Sequence, residues 1–175
     1  MMSIVYVFWM YVVLFAIIGA MRGWARELLV SFSVILALAL NFVLRQYIPI
    51  VKTLEESSSS LFWIRTLILV ALVYFGYQTV VIIPHLTSKA ARERLQDTLF
   101  GAFLGAINGY LIAGTILFYL DQAGYPYPNI VSAPPPEMQG NIQLMMTYMP
   151  PRLLGVPGIY FAVILSFIFV LVVFI

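Results

Sequence analysis

Apolar residues in this chain run on for a span at a time, with short polar interruptions between the runs. Ile4–Met21 is uncharged and stops at Arg22, and Leu28–Leu44 follows and stops at Arg45. Leu61–Ile83 carries one charge, Arg65, near its start; Thr98–Leu120 lies uncharged between Asp97 and Asp121; Leu153–Ile175 is uncharged throughout. A helix crosses the roughly 30 Å hydrocarbon core with about 20 apolar residues at about 1.5 Å each. Irregular backbone facing lipid would leave its N–H and C=O groups unpaired, so the runs predict helices. The expected fold is all-α, a polytopic transmembrane helical bundle of five spans. Ile4–Met21 lacks a basic flank before it and exceeds a signal-peptide apolar core, so it is expected to be a retained helix.

Composition narrows the class. Hydrophobic residues make up 63% of the 175 and charged ones 9%, against about 45–50% and about 25% in soluble domains. Too few polar side chains are present to coat a water-soluble core. With no cysteine, a disulfide scaffold, a Cys-ligated zinc site and a thiol enzyme are excluded. The net charge of +2 is small and its positives scattered, which does not suit nucleic acid.

Lysine and arginine in short loops set orientation. Arg22, Arg26, Lys89, Arg92 and Arg94 crowd two tight connections, whereas Arg45, Lys52, Arg65 and Arg152 are spread over longer ones. The denser set is placed in the cytoplasm, so the N-terminus is expected outside and the C-terminus inside. Pro84–Asp97 reads as a basic helical stub, capped by Thr87 or Ser88, whose charges either only set topology or lie on anionic lipid at the cytoplasmic face. Asp121–Arg152 holds seven of the ten prolines. Within it Ile142, Met145, Met146 and Met149 recur at helical spacing; they predict a short interfacial helix, or else an apolar plug on the bundle. The division is a four-helix core over residues 1–121, a proline-rich extracytoplasmic loop over 122–152 and an added helix over 153–175.

Few residues invite chemistry. The single histidine, His85, has no second histidine or spaced glutamate to complete a zinc motif. No G-x-S-x-G, hydrolase triad or P-loop occurs, no carboxylate lies mid-span, and neither catalysis nor a cofactor is expected. Glu27 opens the second run and Asp97 the fourth, where an acid is stabilised by a helix N-terminus. Asp97 is expected to cap its own helix by accepting from Leu99 or Phe100. With Arg22 and Arg26 at the same depth, both acids also suit a charged latch between the two helical hairpins. Gly101, Gly105 and Gly109, continued by Ala113, recur every fourth residue, which makes a smooth helix face for close packing in lipid. Gly19 and Gly23 form a shorter pair to meet it. Asn108 and Gln78 read as packing glue, or alternatively as the lining of a polar path.

Two of these segments, in order, carry a family resemblance. Arg22-Gly23-Trp24-Ala25-Arg26-Glu27-Leu28-Leu29 resembles the R-G-aromatic-x-R-E-hydrophobic signature after the first helix of the CvpA, or colicin V production protein, family. Asp97-Thr98-Leu99-Phe100-Gly101, continuing to Gly105 and Gly109, is similar to that family's D-x-x-x-G-x-x-x-G-x-x-x-G run. The resemblance covers roughly Ile4–Asp121 and departs at Asn108, where some members have arginine, and at Leu153–Ile175, which extends the usual four spans. It implies a bacterial inner-membrane protein linked to toxin production or export and to envelope stress. Some relatives anchor a serine protease, but no protease domain follows here. The expected role is a non-enzymatic scaffold or accessory that works with a second copy or a membrane-protein partner. A small oligomeric channel or carrier is the alternative.

Overall fold

The computed structural model describes residues 4–78, 91–129 and 131–174, and those residues form helices and connecting turns. His85, Lys89 and the expected caps Thr87 and Ser88 lie outside the described residues. The helices are α1 (Ile4–Arg22), α2 (Trp24–Tyr47), α3 (Pro49–Lys52), α4 (Ser59–Gln78), α5 (Ala91–Gln122), α6 (Pro136–Thr147), α7 (Pro150–Leu153) and α8 (Gly158–Phe174). Gly23 alone separates α1 from α2, at φ 87°. That left-handed backbone favours glycine, and a Cβ there would also lie 2.8 Å from the Asp97 carboxylate oxygens.

Two boundaries differ from those expected. The fourth span does not begin after Asp97. It belongs to a continuous helix of 32 residues, about 48 Å long, and Asp97 sits in its second turn. The stretch through Arg94, Leu95 and Gln96 contains good helix formers and no breaker, so nothing stops the helix from extending past the bilayer core. The last run is shorter than expected. Gly155, Val156 and Pro157 interrupt it, because proline lacks the N–H and the space a helix interior requires. What remains, α8, has 17 residues, about 25 Å of helix. Among the described residues α1, α2, α4 and most of α5 are long and apolar enough to cross a membrane, and α8 is a shorter apolar helix.

The helices alternate in direction. Gly19 meets Gly101 and Gly105, and Val12 meets Gly109, so α1 runs antiparallel to α5. Ser31 reaches Asn108 and Asn41 reaches Tyr119, so α2 runs parallel to α5. Gly76 against Ser33 and Arg65 against Asn41 set α4 antiparallel to α2. The ring pairs Phe32–Phe167 and Phe42–Tyr160 place α8 antiparallel on the same helix. Val30, Val34, Ala37 and Leu38 of α2 and Leu69 of α4 fill the centre. Outward faces such as Val13, Leu14, Leu67, Phe103 and Phe161 stay exposed and apolar, as lipid requires. On α6, Ile142, Met146 and nearby Met149 are buried against Phe8, Val12 and Leu117. The Tyr110 hydroxyl donates to the Tyr148 carbonyl beside them.

The α1–α5 seam is the closest approach in the bundle. A Cβ on Gly19 would stand 2.7 Å from the Gly105 Cα, and one on Gly105 would stand 2.9 Å from the Gly19 Cα. Gly101 faces the Gly19 carbonyl, Gly109 faces Val12 and Phe15, and Ala113 continues half-buried into the Phe8 cluster. Backbone meets backbone, so no rotamer change can relieve an added side chain. Gly105→Leu should therefore lower stability by about 3 kcal/mol or more, at the top of the overpacking range. Phe103→Leu, on a face that is 65% exposed, should stay within about 0.5 kcal/mol. Thermal unfolding of both variants in mild detergent checks this, and equal midpoints would contradict the seam.

Candidate functional site

Arg22, Glu27 and Asn108, three of the residues singled out in the sequence, converge at the end of the bundle where α1 turns into α2. Because Gly23 is the whole connection, Arg22 closes α1 and Glu27 falls in the first turn of α2. The Glu27 side chain is fully buried. Its Oε2 accepts a 2.8 Å bond from Asn108 Nδ2, and the same nitrogen donates to the Glu27 main-chain carbonyl at 2.8 Å. Its Oε1 faces Arg22 Nε at 3.6 Å. Asn108 is likewise fully buried, and its Oδ1 accepts from Ser31 Oγ at 2.7 Å.

Arg22 ties this cluster to α4. Its Nη2 donates to the Tyr77 carbonyl at 3.1 Å, and its guanidinium stands 4.1 Å from the centre of the Tyr77 ring. A cation over an aromatic face is attracted by the ring quadrupole. One carboxylate thus draws in a side chain from α1, an amide from α5 and, through Arg22, the end of α4. Oε2 is hydrogen-bonded, whereas Oε1 is buried with Arg22 at ion-pair distance and no hydrogen bond; a desolvated carboxylate relies on such a partner.

Asp97 is the clearest correction. It was expected to cap the helix it precedes. Instead it lies inside α5, and its Oδ1 accepts from the Trp24 backbone N–H at 3.1 Å. It therefore caps α2, a different helix, by satisfying one of the N–H groups that a helix start leaves unpaired. Gly23 offers no side chain for that task. Arg22 pairs with Glu27 rather than Asp97, and half-buried Arg26 forms no ion pair among the described residues.

Gln78 is exposed at the end of α4, and no hydrogen bond among the described residues joins it to Asn108. Ser31 and Tyr77 were not anticipated. Ser31 was accessible in principle, four residues after Glu27 and on its face of α2; nothing local marks Tyr77. Among the described residues no group of three or more His, Asp or Glu side chains could hold a metal ion. Ser31 Oγ bonds Asn108 and the Glu27 main chain, not the Glu27 carboxylate. The bonds of the cluster join α1, α2, α4 and α5.

Membrane-length helices with outward apolar faces, closed by a buried polar knot, define a polytopic helical membrane protein. The family model of the colicin V production protein matches residues 4–134, a stretch that contains Arg22–Glu27, Asp97 and Asn108. The chain belongs to that family. No curated relative and no solved structure matches it.

Two substitution tests follow. Asn108→Ala leaves the buried carboxylate without its donor and should cost about 1–3 kcal/mol. In a double-mutant cycle with Glu27→Ala, the coupling should be at least about 0.5 kcal/mol; additive changes in unfolding midpoint would deny the bond a role. At the α2 cap, Asp97→Ala should cost about 1–2 kcal/mol, while Asp97→Asn, which keeps the acceptor, should recover most of it. Equal melting of the two variants would remove the cap.

Proposed function

We propose that this chain is a non-enzymatic accessory of the bacterial cytoplasmic membrane, acting in the production or export of a colicin V-type toxin or in the envelope stress around it. The observation that carries this reading is the Glu27–Asn108 pair: a carboxylate of one span and an amide of another are both fully buried and bonded to one another. Such groups hold helices in register. Family membership supports the toxin context. The function of an accessory of this kind lies in its shape and surfaces, through a second copy or a membrane-protein partner, with no cofactor and no nucleic acid.

The orientation proposed is N-terminus outside. Arg22, Arg26 and Arg94 cluster at the α1–α2 end, which is placed inside by the short-loop rule; Arg45, Lys52, Arg65 and Arg152 belong to the opposite end. The short last helix would then point its end at the cytoplasm. Anionic lipid at the cytoplasmic face is the expected surface partner of the basic end.

Purified protein in sealed liposomes distinguishes the accessory from a small oligomeric channel or carrier with Asn108 on its path. The accessory reading expects no ion or proton flux above that of empty vesicles, together with loss of toxin release in cells that lack the chain. Flux that Asn108→Ala abolishes would replace it with the channel. For orientation, a single cysteine at Ser57 should react with an impermeant maleimide in intact cells, and one at Ala90 should react only after lysis. The reverse pattern would invert the protein.

A further inference from the structure

At the end of the bundle opposite the Glu27 cluster, α2, α4, α5 and the α7–α8 turn enclose an open cleft of about 470 Å³. Its walls include three guanidinium side chains, Arg45, Arg65 and Arg152, and no carboxylate. Three positive charges lining one cleft repel each other unless an anion enters.

The existing partners answer that charge only in part: a single carboxylate, Glu56, stands beside the three guanidinium groups, paired with Arg45 and accepting from Gln122. Arg45 Nη2 bonds Glu56 Oε1 at 2.6 Å from outside the wall, but Arg45 Nη1 is buried with no acceptor. Arg65 Nη1 donates to the neutral Gln122 Oε1 at 2.8 Å, and its guanidinium lies 5.2 Å from the Tyr119 ring centre. Arg152 is exposed on α7 and has no carboxylate partner among the described residues. A buried guanidinium N–H without an acceptor is a costly vacancy, and guanidinium forks match phosphate oxygens well.

Apart from Asn41, Tyr119 and Gln122, the rest of the wall is apolar. Leu38 and Phe42 precede Arg45 on the same face of α2, and Phe118 faces them from α5. Leu38 lies about 10 Å along α2 from Arg45, toward the bilayer centre, while Arg45 sits in the last turn of the span. Cations at headgroup depth above a hydrocarbon-lined slot match an amphiphile with an anionic head.

We propose that this cleft binds one anionic glycerophospholipid, with its phosphate on Arg45, Arg65 and Arg152 and the start of an acyl chain along Leu38, Phe42 and Phe118. The lipid completes the Arg45 donor set and pins α7 and α8 to the core. This site rests on neither the orientation nor the accessory reading.

The test is native mass spectrometry of the full chain in nonionic detergent with added phosphatidylglycerol, phosphatidylcholine of the same chains, or inorganic phosphate. One phosphatidylglycerol should be retained at least about tenfold more tightly than phosphatidylcholine, and phosphate at equal concentration should not displace it. Arg45→Gln and Arg152→Gln should each weaken retention about tenfold, the effect of one charged hydrogen bond. Lys52→Gln and Lys52→Ala, which remove the same charge outside the cleft, should change nothing. Arg45 also holds Glu56, so Arg152→Gln carries the test if the Arg45 variant unfolds. Equal retention of both lipids, equal loss in the outside variants, or displacement by phosphate alone would overturn the proposal; the last would leave a site for a soluble anion.

Discussion

A carboxylate taken fully out of water near the start of a membrane helix has to be answered on every side, and the arrangement of the other spans follows from how Glu27 is answered. Its two oxygens point at different helices, one toward Arg22 of α1 and one toward Asn108 of α5. Arg22 is itself committed to the end of α4. Removing Arg22, the cation of the pair, leaves an uncompensated buried charge, which typically costs about 3–5 kcal/mol. In a bilayer, where apolar faces have no hydrophobic reason to choose one neighbour over another, a polar knot of this kind decides which helices are adjacent and at what height.

The glycine seam is what lets the knot close. Asn108 has a short side chain and reaches Glu27 only if α5 stands close to the α1–α2 turn. Gly19, Gly101 and Gly105 remove every side chain that would hold α5 away, and Gly23 turns the chain so tightly that Arg22 and Glu27 share one site. Asp97 then reaches the exposed backbone of α2 at Trp24. Packing and polarity are thus one device at this end of the bundle: close backbones give short polar side chains their partners, and those partners hold the backbones close.

The opposite end is built differently. There longer connections run between the helices. A chain of Arg45, Glu56, Gln122 and Arg65 links α2, the α3–α4 loop, α5 and α4, yet it leaves a cleft open beside α7. At the Glu27 end the polar groups are bonded across helices, with Glu27 Oε1 held only at ion-pair distance from Arg22 and the Tyr77 hydroxyl buried without a partner. At the other end the buried Arg45 Nη1 has no acceptor, beside an open cleft.

Much of this was legible along the chain. Membrane spans are local facts, because a helix in lipid must bury its backbone bonds within one apolar run, and Ile4–Met21 or Leu28–Leu44 shows that without any partner. The glycine row is local too, since a four-residue repeat lies on one helix face wherever that helix packs. Even the shortened α8 was signalled by Gly155 and Pro157, which interrupt any helix for reasons of backbone chemistry. Partners are a different matter. That Asp97 caps α2 rather than its own helix depends on α5 continuing past it and on α2 arriving beside it. That Glu27 is buried rather than at the surface depends on Asn108 and Arg22 meeting it from two other helices. A residue's type states what it can bond and how its own helix turns; only the tertiary structure decides which groups lie within about 3 Å of it, because those groups are brought there by other parts of the chain.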